Sequence, residues 1–572
     1  MLLRDVRYVR GPRALSALIV AAAALVLLAW GLLPVPDLRA VGLLVGDPGT
    51  EIAFGRFVVI AAGLGMVLLA RGLWHGNRRA LGAVVGTLTI VGAVAVADGN
   101  HPLLGALAIA GAGLLSTQSR AFVARGGARR FAIRAAGVAL LAVLAGSLVA
   151  AVALVVTAHD ATFGGALSHV GRWLTSGDNP PPSDGVIVAV LDALASVALL
   201  SLVAGLHAVL GPRAAREGHD CAAHHQATDV LAAHAADSLD PFALRPDKSF
   251  HFAHGGMLAY RTIKETAVVS GDPIGPPGTA GTILADFRAY AERRGWTVVM
   301  TAASERHLAD YRALGLHVLR LGDEAVVDPS TLRLEGGDMK SVRKAVNRVD
   351  REGWTITCLR GDDLDEPTVR DLARTEATWR SRQPQLRGFA MTLGRLWGAP
   401  EDSGSLYVLG RDATGELSAF LRFAAYPNGL SLDAMRRLSD RPNGVTEALI
   451  VAALRHAAAE GVTEVSLNFA GFSHLMAPGG ELSLLQRLAR VALTLVHGRF
   501  QLDRLARFND KFSPAKRRRH LVYPGWLALP RAALRVLQAE AYAPAPKSRP
   551  LPARWEPAAV PVMPLRGDVV AP

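Results

Sequence analysis

Long apolar runs, separated by short charged loops, fill the first 210 residues of the chain. A helix needs about 20 apolar residues to cross the hydrocarbon core of a bilayer. The pattern therefore predicts six transmembrane helices: Ala14–Leu33, Phe54–Ala70, Ala80–Ala97, Leu103–Leu115, Ala135–Thr157 and Val186–Leu210. The first run is too long for a cleavable signal peptide, and further apolar runs follow it.

The arginines of this region fall in alternate loops. They concentrate in the N-terminus, in the loop between the second and third spans, and in the loop between the fourth and fifth, whereas the other loops are acidic or nearly neutral. Lys and Arg are retained on the cytoplasmic side of membranes. We therefore expect a multi-pass protein of the cell membrane with both termini in the cytoplasm, together with everything after Leu210.

From Asp237 onward, short alternating runs and helical periodicities occur in one order twice. The first set is two paired strands (Met257–Ile263, Glu265–Ser270), a helix (Thr282–Arg294), a strand (Thr297–Ala302), a helix (Glu305–Leu314) and a strand (His317–Arg320). The second set is the helices Met339–Glu352 and Glu366–Arg382, the hairpin Ser405–Gly410 and Glu416–Ala424, the strand Gly429–Ala434, the helix Val445–Glu460, the strand Glu464–Asn468 and the helix Leu482–His497. This order resembles an acyl-CoA N-acetyltransferase-like (GNAT) fold used in tandem. The expected architecture is a polytopic α-helical membrane domain followed by an α/β (α+β) tandem GNAT-like cytoplasmic domain.

These patterns divide the chain into six segments. We expect a cytoplasmic N-terminus (1–13), a six-helix transmembrane domain (14–210), a linker (211–236), a first GNAT-like subdomain (237–330), a second, catalytic subdomain with a basic C-terminal segment (331–525), and a tail (526–572). From Tyr542 onward the tail is rich in proline, which predicts disorder.

Composition narrows the class of protein. Of the 572 residues, 51% are hydrophobic and 19% are charged, which excludes fibrous and wholly disordered chains. Cys221 and Cys358 are the only cysteines, so a disulfide scaffold is excluded. The cluster of Cys221, His224 and His225 lacks a second pair of metal ligands, and we expect no metal site there. The net charge of +13 favours anionic lipid or nucleic acid as a partner.

Eight stretches of the cytoplasmic half together resemble one family: Asp237–Leu244 with Asp247–Ser249, Ser270–Gly275, Leu321–Ala325, Val342–Val349, Ser431–Arg437, Asn443–Glu447, Val465–Ala470 and Lys511–Pro514. The family is the phosphatidylglycerol lysyltransferases, the catalytic domains of multiple peptide resistance factor-like proteins. The transferase part of actinobacterial lysylphosphatidylglycerol synthetases is the most similar. The resemblance runs from Asp237 to Tyr523.

Two features depart from the family pattern. The family usually has Trp at the position of Lys516 and an aromatic residue at that of His520, which leaves the shape of the terminal substrate contact open. No lysyl-tRNA synthetase module follows the transferase-like part, so a separate synthetase is expected to supply the aminoacyl-tRNA.

The resemblance implies transfer of an aminoacyl group, by default lysyl, from tRNA to a hydroxyl of phosphatidylglycerol. One ester replaces another, so the chemistry needs no ATP, metal or redox cofactor. The protein must position the substrates, deprotonate a hydroxyl and stabilise an oxyanion. Aminoacyl-tRNA, phosphatidylglycerol and anionic membrane lipid are the implied partners. The sequence leaves the oligomeric state open, a homodimer included.

Three residues are the catalytic candidates. Asp433 and Arg436 lie in the stretch that matches the family's Asp-x-x-Arg motif, and a salt bridge between these two strand neighbours is the structural alternative. The Asp433 carboxylate could hold the α-ammonium group or assist loss of the lipid hydroxyl proton, and the Arg436 guanidinium is a planar fork suited to a phosphate. Asn468, at the end of a buried strand, could donate to the oxyanion; capping of a turn is its structural alternative.

Four basic residues are the substrate-binding candidates. Lys511 and Arg519 flank Pro514 in the basic segment and could hold the lipid phosphate or the 3′-terminal phosphates of tRNA. Arg343 and Arg348 share a predicted helix with Asn347, where contact with tRNA or a headgroup and a merely solvated face are equal alternatives. Lys516–Arg518 would supply general electrostatic attraction.

Other functions remain open at this stage. The donor could carry alanine, arginine or ornithine instead of lysine, and the acceptor could be diacylglycerol or, more distantly, a peptidoglycan precursor. A different class is a lipid flippase or membrane scaffold whose transferase domain is inactive. Retention of Asp433, Arg436 and Lys511 favours the enzyme.

Overall fold

The computed structural model describes residues 13–25, 53–97, 102–124, 129–157, 201–210, 218–337, 339–382, 388–427, 429–438, 442–471 and 507–546, with a few single residues between 11 and 198. The chain divides into two compact units: Met1–Ala214 with Tyr290–Trp296, and Ala215–Ala289 with Thr297–Pro572. The predicted helix Leu482–His497 and most of the proline-rich tail lie outside the described residues.

The first unit is built from apolar helices. They are α1 (Ala53–Trp74), α2 (Arg78–Ala97), α3 (Pro102–Thr117) and α4 (Arg129–Thr157), with shorter helical stretches at Arg13–Leu25 and Ser201–Leu210. α2 and α3 approach so closely that a Cβ on Gly92 would lie 2.8 Å from the carbonyl oxygen of Gly105. Such contacts between small residues are typical of helix pairs in membranes.

Four of the six predicted spans coincide with helices of this unit, α1 to α4. Among the described residues, the segment Ile133–Val152 is the one helix whose length and apolar composition suffice to cross a membrane. The number of spans and the orientation of the termini therefore stay predictions.

The second unit contains one mixed sheet of eleven strands. The strands are β1 (Ser249–Ala253), β2 (Gly256–Ile263), β3 (Thr266–Ser270), β4 (Thr297–Ala303), β5 (His317–Val327), β6 (Thr355–Arg360), β7 (Leu406–Arg411), β8 (Leu417–Tyr426), β9 (Gly429–Arg437), β10 (Glu464–Gly471) and β11 (Ala515–Tyr523). Its helices are α5 (Cys221–His234), α6 (Ala280–Arg294), α7 (Leu308–Ala313), α8 (Lys340–Arg351), α9 (Glu366–Arg382), α10 (Val445–Ala459) and α11 (Leu529–Ala539).

The two repeats exchange strands at the centre of the sheet. The strand order is β1-β2-β3-β4-β11-β5-β10-β9-β8-β7-β6, with parallel pairs only at β3–β4 and β9–β10. β11, from the C-terminal repeat, pairs with β4 of the first, and β5, from the first repeat, pairs with β10 of the second. The two repeats therefore form one continuous sheet rather than two separable domains.

Helices cover the sheet through their apolar faces. α10 buries eight residues, including Leu449, Ile450 and Leu454, against β7 to β9, and α8 buries Val342, Ala345 and Val349 beside it. The opposite face of α8 carries Lys and Arg, so the hydrophobic and charged stripes of this helix are cleanly separated.

Most predicted elements are confirmed, and α9 has the predicted bounds. Two predictions were incomplete. The strand at His317 continues to Val327, and the 526–572 tail contains α11 at its start. No strand was predicted in the basic C-terminal segment, but its residues Ala515–Tyr523 form the central strand β11, in which the last five residues, Arg519–Tyr523, are all buried.

Candidate functional site

The strands β9 and β10 separate after a short parallel pairing. They pair only at Glu464–Ser466 against Gly429–Ser431, and then diverge. Each carries an irregularity just beyond this point: Asp433 is the extra residue of a bulge between β8 and β9, and Asn468 (φ 70°) lies in a bulge between β10 and β5. Bulges re-aim side chains and often lie beside active sites. Asp433 and Asn468 therefore flank the opening between the strands.

Asp433 lies in a buried ion pair with Arg422 of β8. Its carboxylate accepts from Arg422 Nη1 and, at 2.7 Å, from the backbone N–H of Leu393. Arg422 is fully buried and also donates to Asp402 Oδ1 (2.6 Å) and Ser405 Oγ (3.0 Å). Burial opposes its charge, but Asp433, with Tyr407 and Asp402, still raises the pKa of the Arg422 guanidinium. Asp433 and Arg422 are therefore held rigidly against each other.

A chain of hydrogen bonds extends from Arg422 to the N-terminal segment of the second unit. Asp402 accepts from Arg395 (2.6 Å), and Arg395 also pairs with Glu401. Glu401 faces His224 Nε2 at 2.8 Å, and His224 Nδ1 lies 3.0 Å from His219 Nε2. The loop that carries Leu393, Arg395 and Asp402 is thus fixed from both sides.

Arg436 has partners of its own. It donates from Nε to Glu376 Oε2 of α9 at 2.6 Å, and its guanidinium lies 3.9 Å from the ring centre of Trp379. Arg436 is opposite Phe420 in the ladder, two positions from Arg422 on β8. Because the bulge inserts Asp433, Asp433 and Arg436 lie on the same face of the sheet although they are three residues apart.

Asn468 acts as a bridge in this structure. Its Nδ2 donates to the carbonyl oxygens of Leu432 (2.8 Å) and Met391 (2.9 Å). Those two bonds use both amide hydrogens, so the geometry supports the structural alternative over an oxyanion donor. Asn468 ties the loop around Met391 to the strand that carries Asp433.

Arg519 lies in a second buried charge cluster, at the centre of the sheet. It donates to Glu324 Oε2 from Nε (2.9 Å) and to both carboxylate oxygens of Asp237 (2.8 and 3.0 Å). Its Nη2 also donates to Ser238 Oγ at 3.0 Å. Burial disfavours the charge of Arg519, but Asp237 and Glu324 raise the pKa of its guanidinium. These bonds engage all three guanidinium nitrogens, so Arg519 joins the two repeats and is not arranged to bind a substrate.

A cavity of about 230 Å³ opens beside this cluster. Its lining combines carboxylates with several arginines: Ala236, Asp237, Ser304, Glu305, Arg306, Glu464, Arg517, Arg518 and Arg519. The Arg518 side chain is 59% exposed and lies 3.5 Å from Glu305. The cavity is at the Ala515 end of β11, whereas β9 and β10 diverge toward the Tyr523 end.

The remaining predicted contacts lie around α8 and α10. Lys511 donates to Glu447, in the first turn of α10, at 2.7 Å. Arg348 donates to the carbonyl oxygen of Asn443 (3.3 Å), just before that turn, and Arg343 to that of Leu334 (2.5 Å). The structure therefore brings Lys511 and Arg348 to the N-terminal end of α10, and it separates both from Asp433.

Sequence reasoning missed Arg422, Glu324 and Lys248. A single Arg inside the apolar run Leu417–Tyr426 is the signal that marks Arg422, since a charge on a buried strand needs a partner. Lys248 is fully buried, donates to Phe242 O (2.7 Å) and Ser270 Oγ (2.8 Å), and burial lowers its pKa to about 7. No group of His, Cys, Asp and Glu suited to a metal occurs among the described residues.

Known proteins resemble this unit. Residues 228–523 match the family model "Phosphatidylglycerol lysyltransferase, C-terminal". The chain is 37% identical over 319 residues to the lysylphosphatidylglycerol biosynthesis bifunctional protein LysX of Mycobacterium avium, covering 55% of this chain and 27% of that protein. The LysX protein of Rhodococcus jostii is 35% identical over 335 residues, covering 58% and 30%. The matched segment thus spans less than a third of either relative.

A solved structure shares the fold. The structure of L-PGS from Bacillus licheniformis superimposes with a TM-score of 0.50 at 22% identity, and it covers 57% of this chain and 99% of that one. The tandem GNAT-like arrangement expected from the strand order is therefore present in the second unit.

Proposed function

The chain belongs to the phosphatidylglycerol lysyltransferase family, and from that premise we propose that it transfers an aminoacyl group, lysyl by default, from aminoacyl-tRNA to phosphatidylglycerol. The match over residues 228–523 carries the proposal, because it covers both repeats, including the Asp433 bulge of the second. The product would be a cationic lipid of the cell membrane.

The reaction replaces one ester by another. The glycerol hydroxyl of the lipid attacks the aminoacyl carbonyl, its proton leaves, and the tRNA ribose oxygen departs and is protonated. The protein must hold two anionic substrates and one aminoacyl group in line. Charged groups fixed before the substrates arrive are suited to this task.

Asp433 is the group that we place nearest the reaction. We place the α-ammonium of the aminoacyl group against this carboxylate, because an ammonium and a carboxylate form a charge-assisted hydrogen bond. Leu393 and Arg422 fix the direction of the Asp433 side chain, which is 1% exposed, just beyond the point where β9 and β10 part. Arg436, on the same face, would meet the lipid phosphate.

The cavity beside Arg519, at the Ala515 end of β11, is the proposed contact for the aminoacyl-tRNA. Arg306, Arg517 and Arg518 line it, and Lys516 next to it is 57% exposed. Such groups neutralise phosphates without reading sequence. Lys511 and Arg348, at the start of α10, would extend the electropositive surface. A separate synthetase would charge the tRNA.

The test is reconstitution of the full chain in vesicles that contain phosphatidylglycerol. Lysyl-tRNA with radiolabelled lysine should give a labelled lipid, whereas free lysine with ATP should not. Vesicles with diacylglycerol in place of phosphatidylglycerol, and alanyl-tRNA in place of lysyl-tRNA, identify the acceptor and the amino acid.

A matched pair of variants tests the site. Asp433→Asn should lose activity by about 10²–10⁴-fold per folded molecule, the range for a lost charged catalytic group. Asp350→Asn, on the exposed face of α8, should keep it. Equal activity of the two variants would remove Asp433 from the site.

A further inference from the structure

The exposed apolar side chains of the second unit are concentrated in one short segment. Among its described residues, the large hydrophobic side chains that are exposed are Trp526 (55%), Leu527 (90%) and Leu534 (44%). Scattered exposed apolar residues are normal, but a cluster marks an interaction surface. We call these three residues the apolar ridge.

The ridge is held rigidly by the fold. The Trp526 ring meets the rings of His317 (5.4 Å between centres) and Tyr523 (5.9 Å) edge to face. α11 buries Ala532, Arg535, Val536 and Ala539, three of which belong to the core of the first repeat. The opposite face of the same helix, which should be polar in water, presents Leu534.

The charged residues within the segment that carries the ridge are all basic. Between Pro524 and Ala539 the sequence contains Arg531 and Arg535 and no acidic residue. The Arg531 side chain is 46% exposed and lies 3.9 Å from Glu265, while Arg535 is buried. A half-exposed Trp, a fully exposed Leu and an accessible Arg form the combination that suits the boundary between lipid headgroups and acyl chains.

We propose that the apolar ridge docks the second unit onto the surface of an anionic bilayer. Leu527 would enter the acyl region, Trp526 would lie at the headgroup level, and Arg531 would meet lipid phosphates. A second copy of the chain fits less well, because three side chains offer at most a few hundred Å², and a standard protein interface buries about 800 Å² per partner.

The position of the ridge adds to this argument. It follows β11 directly, so it lies at the Tyr523 end of the sheet, toward which β9 and β10 diverge. Docking there would bring the opening beside Asp433 close to the lipid. This last point rests on the proposed function, whereas the docking itself does not.

The test measures depth in the membrane without measuring transfer. Cys221 and Cys358 are replaced by Ser, and Leu527→Cys is labelled with an environment-sensitive dye in the full chain, reconstituted in nanodiscs of phosphatidylglycerol and phosphatidylcholine. Ser330→Cys is the control, because it is exposed after β5 at the opposite end of the sheet. Lipids with a quencher in the acyl chain should remove most of the fluorescence at 527 and little at 330.

A second label makes the result independent of the dye at 527. Leu534→Cys should also be quenched by the lipid, and adding Leu527→Glu should return its quenching to the level of the 330 control. Equal quenching at 527 and 330 would overturn the proposal. Protection at 527 from a water-soluble quencher without lipid quenching would overturn it too, and would point to a protein partner. Either result leaves the transferase assignment untouched.

Discussion

Removal of Arg519 is predicted to cost folding stability and not substrate binding. Glu324 is fully buried and the Asp237 side chain is 12% exposed, so Arg519→Ala leaves two carboxylates without their counter-charge. Breaking a buried pair by removing one partner costs about 3–5 kcal/mol. For a domain of this size, 1 kcal/mol shifts the melting temperature by about 2–4 °C. We therefore expect a fall of about 10 °C.

The folding stability lost in the Arg519→Ala protein should depend on pH in a defined direction. Burial alone would raise the pKa of Asp237, but Arg519 holds the pKa of that carboxyl below its usual value. In the native protein, this pair contributes stability above the unfolded pKa of about 4, and the contribution is lost as the pH falls through the lowered folded pKa. In the Arg519→Ala protein the Asp237 carboxyl group, without its counter-charge, can take up a proton at low pH. The difference in stability between the two proteins should therefore grow as the pH rises from about 4 to 7.

Thermal melting of the detergent-solubilised chain, monitored by tryptophan fluorescence at several pH values, measures both effects. Arg518→Ala is the control, since the neighbouring side chain is 59% exposed and an exposed pair contributes about 0–1 kcal/mol. An Arg519→Ala protein that melts like Arg518→Ala, but has a raised KM for tRNA or lipid, would refute the structural role and restore Arg519 as a substrate ligand.

Three further predictions concern other parts of the chain. Asp433→Asn should lower stability as well as turnover, because its partner Arg422 is buried. Melting curves measured beside the transfer assay separate the two effects. A stable, fully active variant would contradict both roles. Lys511→Ala should weaken binding of an anionic substrate at low salt, and added salt should mask the difference from the native protein; a difference that persists at high salt would argue against an electrostatic role. A topology reporter at residue 180 should be external and one at residue 220 cytoplasmic, and signals from the same side would show that the number of spans is wrong.

Periodicity sufficed to predict the elements whose burial is regular. The helix Glu366–Arg382 was predicted from local pattern because it buries one face against the sheet, and the hairpin around Thr414 because a turn signal separates two apolar runs. The strand β11 was not predicted, because it contains four consecutive cations, of which only Arg519 is buried. Local sequence could not show that Arg519 pairs with two carboxylates, Asp237 and Glu324, that lie far from it along the chain.

The candidate site was predicted less well, because its contacts also join residues that are far apart along the chain. Arg519 meets Asp237 and Glu324 across 282 and 195 residues, and these contacts exist only because the two repeats exchange strands. The spacing of Asp433 and Arg436 suggested a pair, whereas the bulge gives each a separate partner. The Asp-x-x-Arg motif lies on β9, but the sequence alone could not supply the contacts of its two side chains.

The measurement that bears most directly on the central claim is the lipid composition of a host that expresses the chain and does not make aminoacyl lipids. Extracted lipids, separated and analysed by mass, should contain a new ninhydrin-positive, cationic phospholipid whose mass equals that of phosphatidylglycerol joined to one amino acid. A host with the Asp433→Asn protein, at a matched folded level in the membrane, should contain little or none. Unchanged lipids in the presence of folded native protein and charged tRNA would contradict the proposed aminoacyl transfer.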